Sequence, residues 1–179
     1  VLAAGETAVA DRVALMSPQF NPIVVHGAHV FAANTPGNSV DVISTETQQV
    51  IRRIPVGIEP VGLAVRPDGS ELWVANHVSD SVSIIDLKAS SPTHFCVIHT
   101  LQQLDPQTRS TRFDEPVGIA FASDQKAYVS LSSENEIAVI DVPTRTISKR
   151  LRITAQEPRG LAVRNDRLYV ISFESGNQT

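Results

Sequence analysis

Short apolar runs and turn signals alternate along the whole chain. Between Glu59 and Asp86 the order is Pro60-Val61-Gly62-Leu63-Ala64-Val65, a turn at Arg66-Pro67-Asp68-Gly69, Glu71-Leu72-Trp73-Val74-Ala75-Asn76, a second turn, and Ser81-Val82-Ser83-Ile84-Ile85-Asp86. Runs this short, rich in Val and Ile and bounded by Gly, Pro, Asn and Asp, predict three strands and two turns. No apolar stripe with a sustained 3.6-residue period is present, so helix is expected only as a turn or two within 88–94 or 102–114.

The chain repeats this statement. Downstream come Glu115-Pro116-Val117-Gly118-Ile119-Ala120-Phe121, Ala127-Tyr128-Val129-Ser130 and Glu136-Ile137-Ala138-Val139-Ile140-Asp141, then Glu157-Pro158-Arg159-Gly160-Leu161-Ala162-Val163 with Leu168-Tyr169-Val170. A diverged copy precedes it: Asn21-Pro22-Ile23-Val24-Val25, Val30-Phe31-Ala32-Ala33-Asn34 and Ser39-Val40-Asp41-Val42-Ile43. The aromatic position recurs after 42 residues (31 to 73), 55 (73 to 128) and 41 (128 to 169). A period of roughly 40–45 residues built of four short strands predicts propeller blades, and the long middle interval marks an insertion after Asp86.

The tetrads at that position are Phe31-Ala32-Ala33-Asn34, Trp73-Val74-Ala75-Asn76, Tyr128-Val129-Ser130-Leu131 and Tyr169-Val170-Ile171-Ser172. With the flanking Pro-x-Gly and Ile-Asp elements, they make the chain resemble the YVTN-type β-propellers over nearly its whole length. The expected fold is all-β, a partial β-propeller of four-stranded antiparallel blades with about four blades represented. The whole chain, 1–179, reads as a single partial domain. Residues 1–21 supply the outer strand of a preceding blade (Arg12-Val13-Ala14-Leu15-Met16). Residues 22–57 form one blade, 58–114 a blade with insertions, 115–156 another, and 157–179 the first half of a fourth. The resemblance implies seven blades, so a fragment of a longer chain is expected; a small closed ring is the alternative.

Composition adds little. With 15 basic and 19 acidic residues the net charge is −4, too mild to call for a nucleic acid or a membrane surface. No apolar run approaches the ~20 residues of a membrane helix, and Val1-Leu2-Ala3-Ala4-Gly5-Glu6 is not an intact signal peptide. The single cysteine, Cys96, forms no intrachain disulfide and reads as a half-buried hydrophobe. Few cysteines suit an exported bacterial protein, periplasmic or at the cell surface.

Inner strands pair Gly and Ala with branched residues because blades crowd near the axis. Pro67 and Gly69 preset a turn, and Asp86 and Asp141 are placed to accept N–H groups in the turns that follow them. Arg52, Arg53, Lys149, Arg150 and Arg152 read as charges guarding outer strands against edge pairing. The Lys149-Arg150-x-Arg152 cluster lacks the aromatic interleaving of a single-strand nucleic-acid binder.

The chemistry-bearing candidates are few. His26-x-x-His29 has a metal-capable spacing but lacks further ligands, so a polar turn is the plainer reading. His77 and Asp80 follow a second strand. Their loop opens on the same face as the long connection Gln102–Asp114, which carries Asp105, Arg109, Arg112 and Asp114. Loops carry function more often than strands do, so these six are the ligand-face candidates; a solvated, decorated loop is the plainer alternative. Glu59, Glu115 and Glu157 each precede the Pro that opens an inner strand, with Asn21 in that place in the first blade. They are placed as a partial ring at a channel mouth. There they either accept bonds from their own turns or hold a hard cation such as calcium. Asn177-Gln178-Thr179 fits a glycosylation acceptor.

No catalytic residue is singled out: the chain has no Gly-x-Ser-x-Gly elbow and no phosphate loop. It also lacks a Cys-x-x-Cys-His haem attachment, so no cofactor is assigned to it, although calcium or haem is possible in the parent protein. Three functions are weighed. The resemblance favours a non-enzymatic scaffold or binding module of a larger exported or envelope protein. Its partners would be proteins or other domains of the parent chain. The others are the propeller part of a haem-associated electron-transfer protein and a metal-dependent lactonase-like hydrolase. Trp73, by its place in the repeat, is a packing residue between blades. Trp73→Ala is therefore expected to cost about 3–5 kcal/mol in denaturant unfolding, the usual loss for a buried large aromatic.

Overall fold

The computed structural model describes residues 19–174, so the strand expected at 12–16 and the triplet at 177–179 lie outside the described residues. Every regular element among them is a strand, and the short helical turns expected in the two insertions are not formed. The first sheet comprises β1 (Ile23–His26), β2 (His29–Asn34), β3 (Ser39–Ser44) and β4 (Val50–Pro55). The second holds β5 (Pro60–Val65), β6 (Glu71–Asn76), β7 (Ser81–Asp86) and β8 (Val97–Leu101). The third holds β9 (Pro116–Ser123), β10 (Lys126–Leu131), β11 (Glu136–Asp141) and β12 (Thr146–Arg152). The last has β13 (Gln156–Arg164) and β14 (Arg167–Glu174). In every sheet, strands adjacent in sequence pair antiparallel and in order. The fold is a partial β-propeller.

The core lies between sheets. Phe31, Val42, Leu63, Leu72 and Ile85 fill the space between the first and second. Trp73, Val82, Ile84, Phe113, Ile119, Val129 and Ile140 fill that between the second and third. Ile137 and Leu161, with Tyr128, Val163 and Val170, join the third to the fourth. Trp73 is fully buried and meets Phe121 of the next sheet edge-on at 5.1 Å, while its indole N–H donates to Glu71 at 2.9 Å. Glu71 is itself held by Arg145 of the third sheet at 2.8 Å. The shared aromatic position is thus a blade-to-blade packing position.

The expected turn chemistry is present. Gly69 has φ of 73° and its N–H donates to the Arg66 carbonyl at 2.8 Å. Asp86 accepts from Lys88 N–H at 2.9 Å and Asp141 from Thr144 N–H at 3.0 Å. Burial works against the Asp86 carboxylate, but bonds from Ser91, Thr93 and Lys88 N–H outweigh it and lower its pKa. Cys96 falls one residue short of the outer strand and is half-buried.

The Pro-x-Gly motif has a steric cause. A Cβ on Gly62 would lie 2.1 Å from the Val117 carbonyl oxygen, and one on Gly118 would lie 2.1 Å from that of Arg159. The second and third inner strands therefore each receive the backbone of the next blade where a side chain would begin. At Gly160 the nearest obstacle is instead the Phe20 ring, at 2.8 Å. Gly118→Ala forces two backbones apart and is expected to cost about 1–3 kcal/mol, as overpacking does. Gly160→Ala, opposed by a side chain that can turn away, should cost less. Paired denaturant melts check the order.

Candidate functional site

The second and third sheets meet at a junction repeated, with variations, along the chain. The turns after β2, β6 and β10 each end in an Asn or Asp with left-handed backbone: Asn38 (φ 50°), Asp80 (φ 48°) and Asn135 (φ 55°). The side-chain oxygen of each accepts a main-chain N–H from the next blade: Glu59 at 3.0 Å, Glu115 at 3.0 Å and Glu157 at 2.8 Å. Those glutamates are also left-handed, at φ 54°, 50° and 50°, immediately before proline. That conformation is disfavoured for a residue with a Cβ. It persists because the backbone is held from both sides. The Glu59 carbonyl accepts from His77 N–H at 2.9 Å and the Glu115 carbonyl from Ser132 N–H at 3.0 Å.

At the second-to-third junction the latch is an aspartate rather than an asparagine. Burial pushes the Asp80 pKa up, and the like charges of Asp114 and Glu115 push it further, against the Glu115 N–H bond that favours the ionised form. Ser132 donates to the Glu115 carboxylate at 2.9 Å. His77 Nε2 stands 3.9 Å from that carboxylate, while its Nδ1 is buried without a partner. His77, Asp80, Asp114 and Glu115 are thus brought together, with Asp80 supplying structure as well as charge.

Asp105 belongs elsewhere. Its carboxylate caps its own loop, accepting from Thr108 N–H at 2.8 Å and Gln107 N–H at 2.9 Å, and these bonds hold its pKa down. Arg109 and Arg112 have exposed side chains on the same insertion. The Glu157 carboxylate is taken by Arg159 at 2.7 Å. Asn21 shares the left-handed φ, at 56°, but its amide donates to the Leu63 carbonyl at 2.7 Å and so braces the neighbouring inner strand.

The insertion is fixed at its base and along its body. Phe113 is fully buried in the core and Leu101 nearly so. Leu104 bridges Thr111, and Asp105 N–H donates to the Ser110 carbonyl at 2.9 Å. From β12, Arg150 reaches Glu134 at 2.5 Å, Glu136 at 3.1 Å, Gln103 at 2.6 Å and the Arg112 carbonyl. Reading Arg150 as an edge guard missed this clamp. Its partners sit 14 to 47 residues away, and no local pattern announces them.

On the opposite ends of the strands, His26 and His29 pair across a two-residue hairpin turn. They border a cavity of about 210 Å3 with Phe31, Leu87, His94 and Phe95. His94 stacks on Phe95 at 3.7 Å and His29 meets it edge-on at 5.2 Å, so these imidazoles act as packing rings. Among the described residues, no three or more His, Cys, Asp or Glu side chains stand together as a metal-ligand set.

Comparison with known proteins agrees with the fold. No protein-family model matches the chain, and no curated protein matches it in sequence. Among solved structures it is similar to a chain of Kuenenia stuttgartiensis hydrazine synthase, with TM-score 0.73 and 27% identity over 97% of this chain and 47% of that one. It is also similar to the β-propeller domain of Myceliophteria thermophila Cps50 (Swd1), with TM-score 0.68 and 19% identity over 87% of this chain and 48% of that one. The WD40 repeats of RRP9 give TM-score 0.60 and 15% identity over 81% and 48%. The chain spans about half the length of each of these structures.

Asp80 yields a signed prediction. A carboxyl whose folded pKa is raised weakens the fold as pH rises through that pKa, and the penalty is absent below the ordinary carboxylate range. Asp80→Asn keeps the latch, as Asn38 and Asn135 do, and removes the like-charge contact. It should therefore be more stable than wild type at pH 7 by about 0.5 kcal/mol, the scale of partly exposed charge pairs. The difference should vanish below roughly pH 4. Asp80→Ala loses the bond and should fall about 1 kcal/mol below Asp80→Asn. Thermal melts across pH test both.

Proposed function

We propose that this chain is a non-enzymatic scaffold and binding module of the YVTN type, carried by an exported protein of the periplasm or cell surface. It presents the 102–114 insertion and the adjoining junction to a protein or to another domain of its parent. The observation that carries the reading is the insertion itself, anchored by Phe113 and clamped by Arg150 while Pro106 to Ser110 remain exposed. A loop ordered before binding loses less conformational freedom on association, which favours affinity. Propellers in general host many functions, so the argument rests on this loop and not on the fold. A lactonase-like reading needs free carboxylates converging at the channel mouth. Glu115 and Glu157 are engaged by Ser132 and Arg159 instead.

A second reading follows from the resemblance to YVTN-type propellers: the same arc would be the propeller part of a haem-associated electron-transfer protein whose cofactor sits on another domain. A Soret band in the full-length protein that carries this arc would decide for it.

The test replaces residues 105–110 with a Gly-Ser linker, and separately makes Arg109→Glu. Partner crosslinking in envelope extract is then compared with that of the intact chain. A loop-dependent partner should lose about tenfold in yield with either change, the equivalent of about 1.4 kcal/mol of binding energy. Equal crosslinking by all three proteins, or metal-dependent lactone hydrolysis by the intact chain, would refute the module reading.

A further inference from the structure

At the strand ends opposite the insertion, the junction of the first and second sheets is filled differently from the next one along. His26 and His29 pair across the turn between β1 and β2, and in the second sheet Arg66 and Glu71 hold these two places. Phe95 and Arg145 correspond as well: each precedes the outer-strand residue bonded to Asp86 or Asp141, with left-handed backbone at φ 59° and 55°. Gly69 and Asp124 each lie two residues before the second strand of their sheet. At the second-to-third junction these places carry a charge network. Glu71 lies 2.8 Å from Arg145 and 3.7 Å from Arg66, and Arg66 lies 3.6 Å from Asp124. At the first-to-second junction they carry His29, Phe95, His26 and Gly69, and the cavity of about 210 Å3 stands there. A Cβ on Gly69 would lie 2.7 Å from His26 Cε1, so the missing side chain is what admits this imidazole.

We propose that this cavity binds a small aromatic carboxylate, one ring wide. The carboxylate takes the part that Glu71 plays one junction later, and the imidazoles donate to it. A neutral imidazole has one N–H to give in either tautomer, and a bond from it to a carboxylate is of the stronger, charge-assisted kind. Among the described residues, no hydrogen-bond partner takes the side chains of His26, His29 or His94. No Asp, Glu, Lys or Arg lines the cavity. Asp86, beside Leu87 of its wall, is spent on Thr93 at 2.6 Å and Lys88 N–H at 2.9 Å. The ring of the ligand has rings to meet: His29, Phe31 and Phe95 stand 5.2 to 6.2 Å apart, tilted or edge-on, an arrangement that a further ring extends. An apolar cavity of about 150 Å3 takes benzene, so the larger space here suits one ring with its carboxylate. The site is separate from the 102–114 loop and does not rest on the module reading.

The test titrates the intact chain, with 15N in its histidines, with benzoate, acetate and benzyl alcohol, and follows the imidazole signals by NMR. Benzoate should shift His26, His29 and His94. Acetate lacks the ring and benzyl alcohol the charge, so each should bind about tenfold more weakly. His29→Phe keeps a ring against Phe95 but loses the N–H, and should weaken benzoate about tenfold, the scale of one hydrogen bond to a charged group. Ala89→Trp, at an exposed place on the cavity wall, should block benzoate while the melting temperature stays that of wild type. Shifts confined to His77 or His99, benzyl alcohol binding as well as benzoate, or wild-type affinity in both variants would overturn the proposal. So would zinc ions that shift the three imidazoles where benzoate does not, since that behaviour defines a metal site.

Discussion

The close approach of one inner strand to the next governs the rest of this structure. With 2.1 Å between a carbonyl oxygen and the place of a Cβ, only glycine fits at Gly62 and Gly118. Removing that side chain lets sheets converge at the axis, while Trp73, Phe31 and Tyr128 hold them apart further out. The wedge shape of a blade is the difference between those two thicknesses. Because the contact is backbone to side-chain-free backbone, it tolerates little sliding. It fixes the rotation from each sheet to the next, and hence the face on which loops emerge.

The latch of Asn38, Asp80 and Asn135 on the following glutamate N–H is the second half of the same constraint. A left-handed residue before proline is strained by about 1–3 kcal/mol. That strain is tolerated because both of its backbone groups are bound and because the turn delivers the chain straight into the crowded inner strand. Asparagine suits the accepting role without charge. Aspartate makes the same bond but adds repulsion with Asp114 and Glu115, so its presence at one junction is unfavourable to stability there.

Much of the fold was legible because each blade must bury the same faces. The Pro-x-Gly, aromatic and Ile-Asp positions recur at the blade period, and a period is visible without knowing any contact. Turn residues such as Gly69 and Asp141 were legible for a related reason, since their partners are only a few residues away. The candidate site was legible only in part. His77, Asp80, Asp114 and Glu115 do converge, but Asp105 is spent on its own loop. The Arg150 clamp and the asparagine latch escaped, because their partners are distant in sequence and their positions look like ordinary surface polarity. The latch left a faint trace: Asn38 and Asn135 precede their glutamates by 21 and 22 residues, and Asp80 by 35 across the insertion.

Three departures from the repeat fall at one place, and their coincidence is the strongest argument for a site there. Where the third sheet has Ser132, the second has His77, with a ring nitrogen buried and unpaired. Where two junctions use asparagine, this one uses Asp80. Where the connection between the third and fourth sheets is short, this one spans residues 102–115 and requires a dedicated arginine to hold it. Each change adds an electrostatic or conformational cost that the neighbouring junctions avoid, and the repeat itself shows that the fold does not need them. A repeat protein that concentrates such costs at one junction departs there from its own pattern, and the second-to-third junction is the place in this chain where the repeat is broken most.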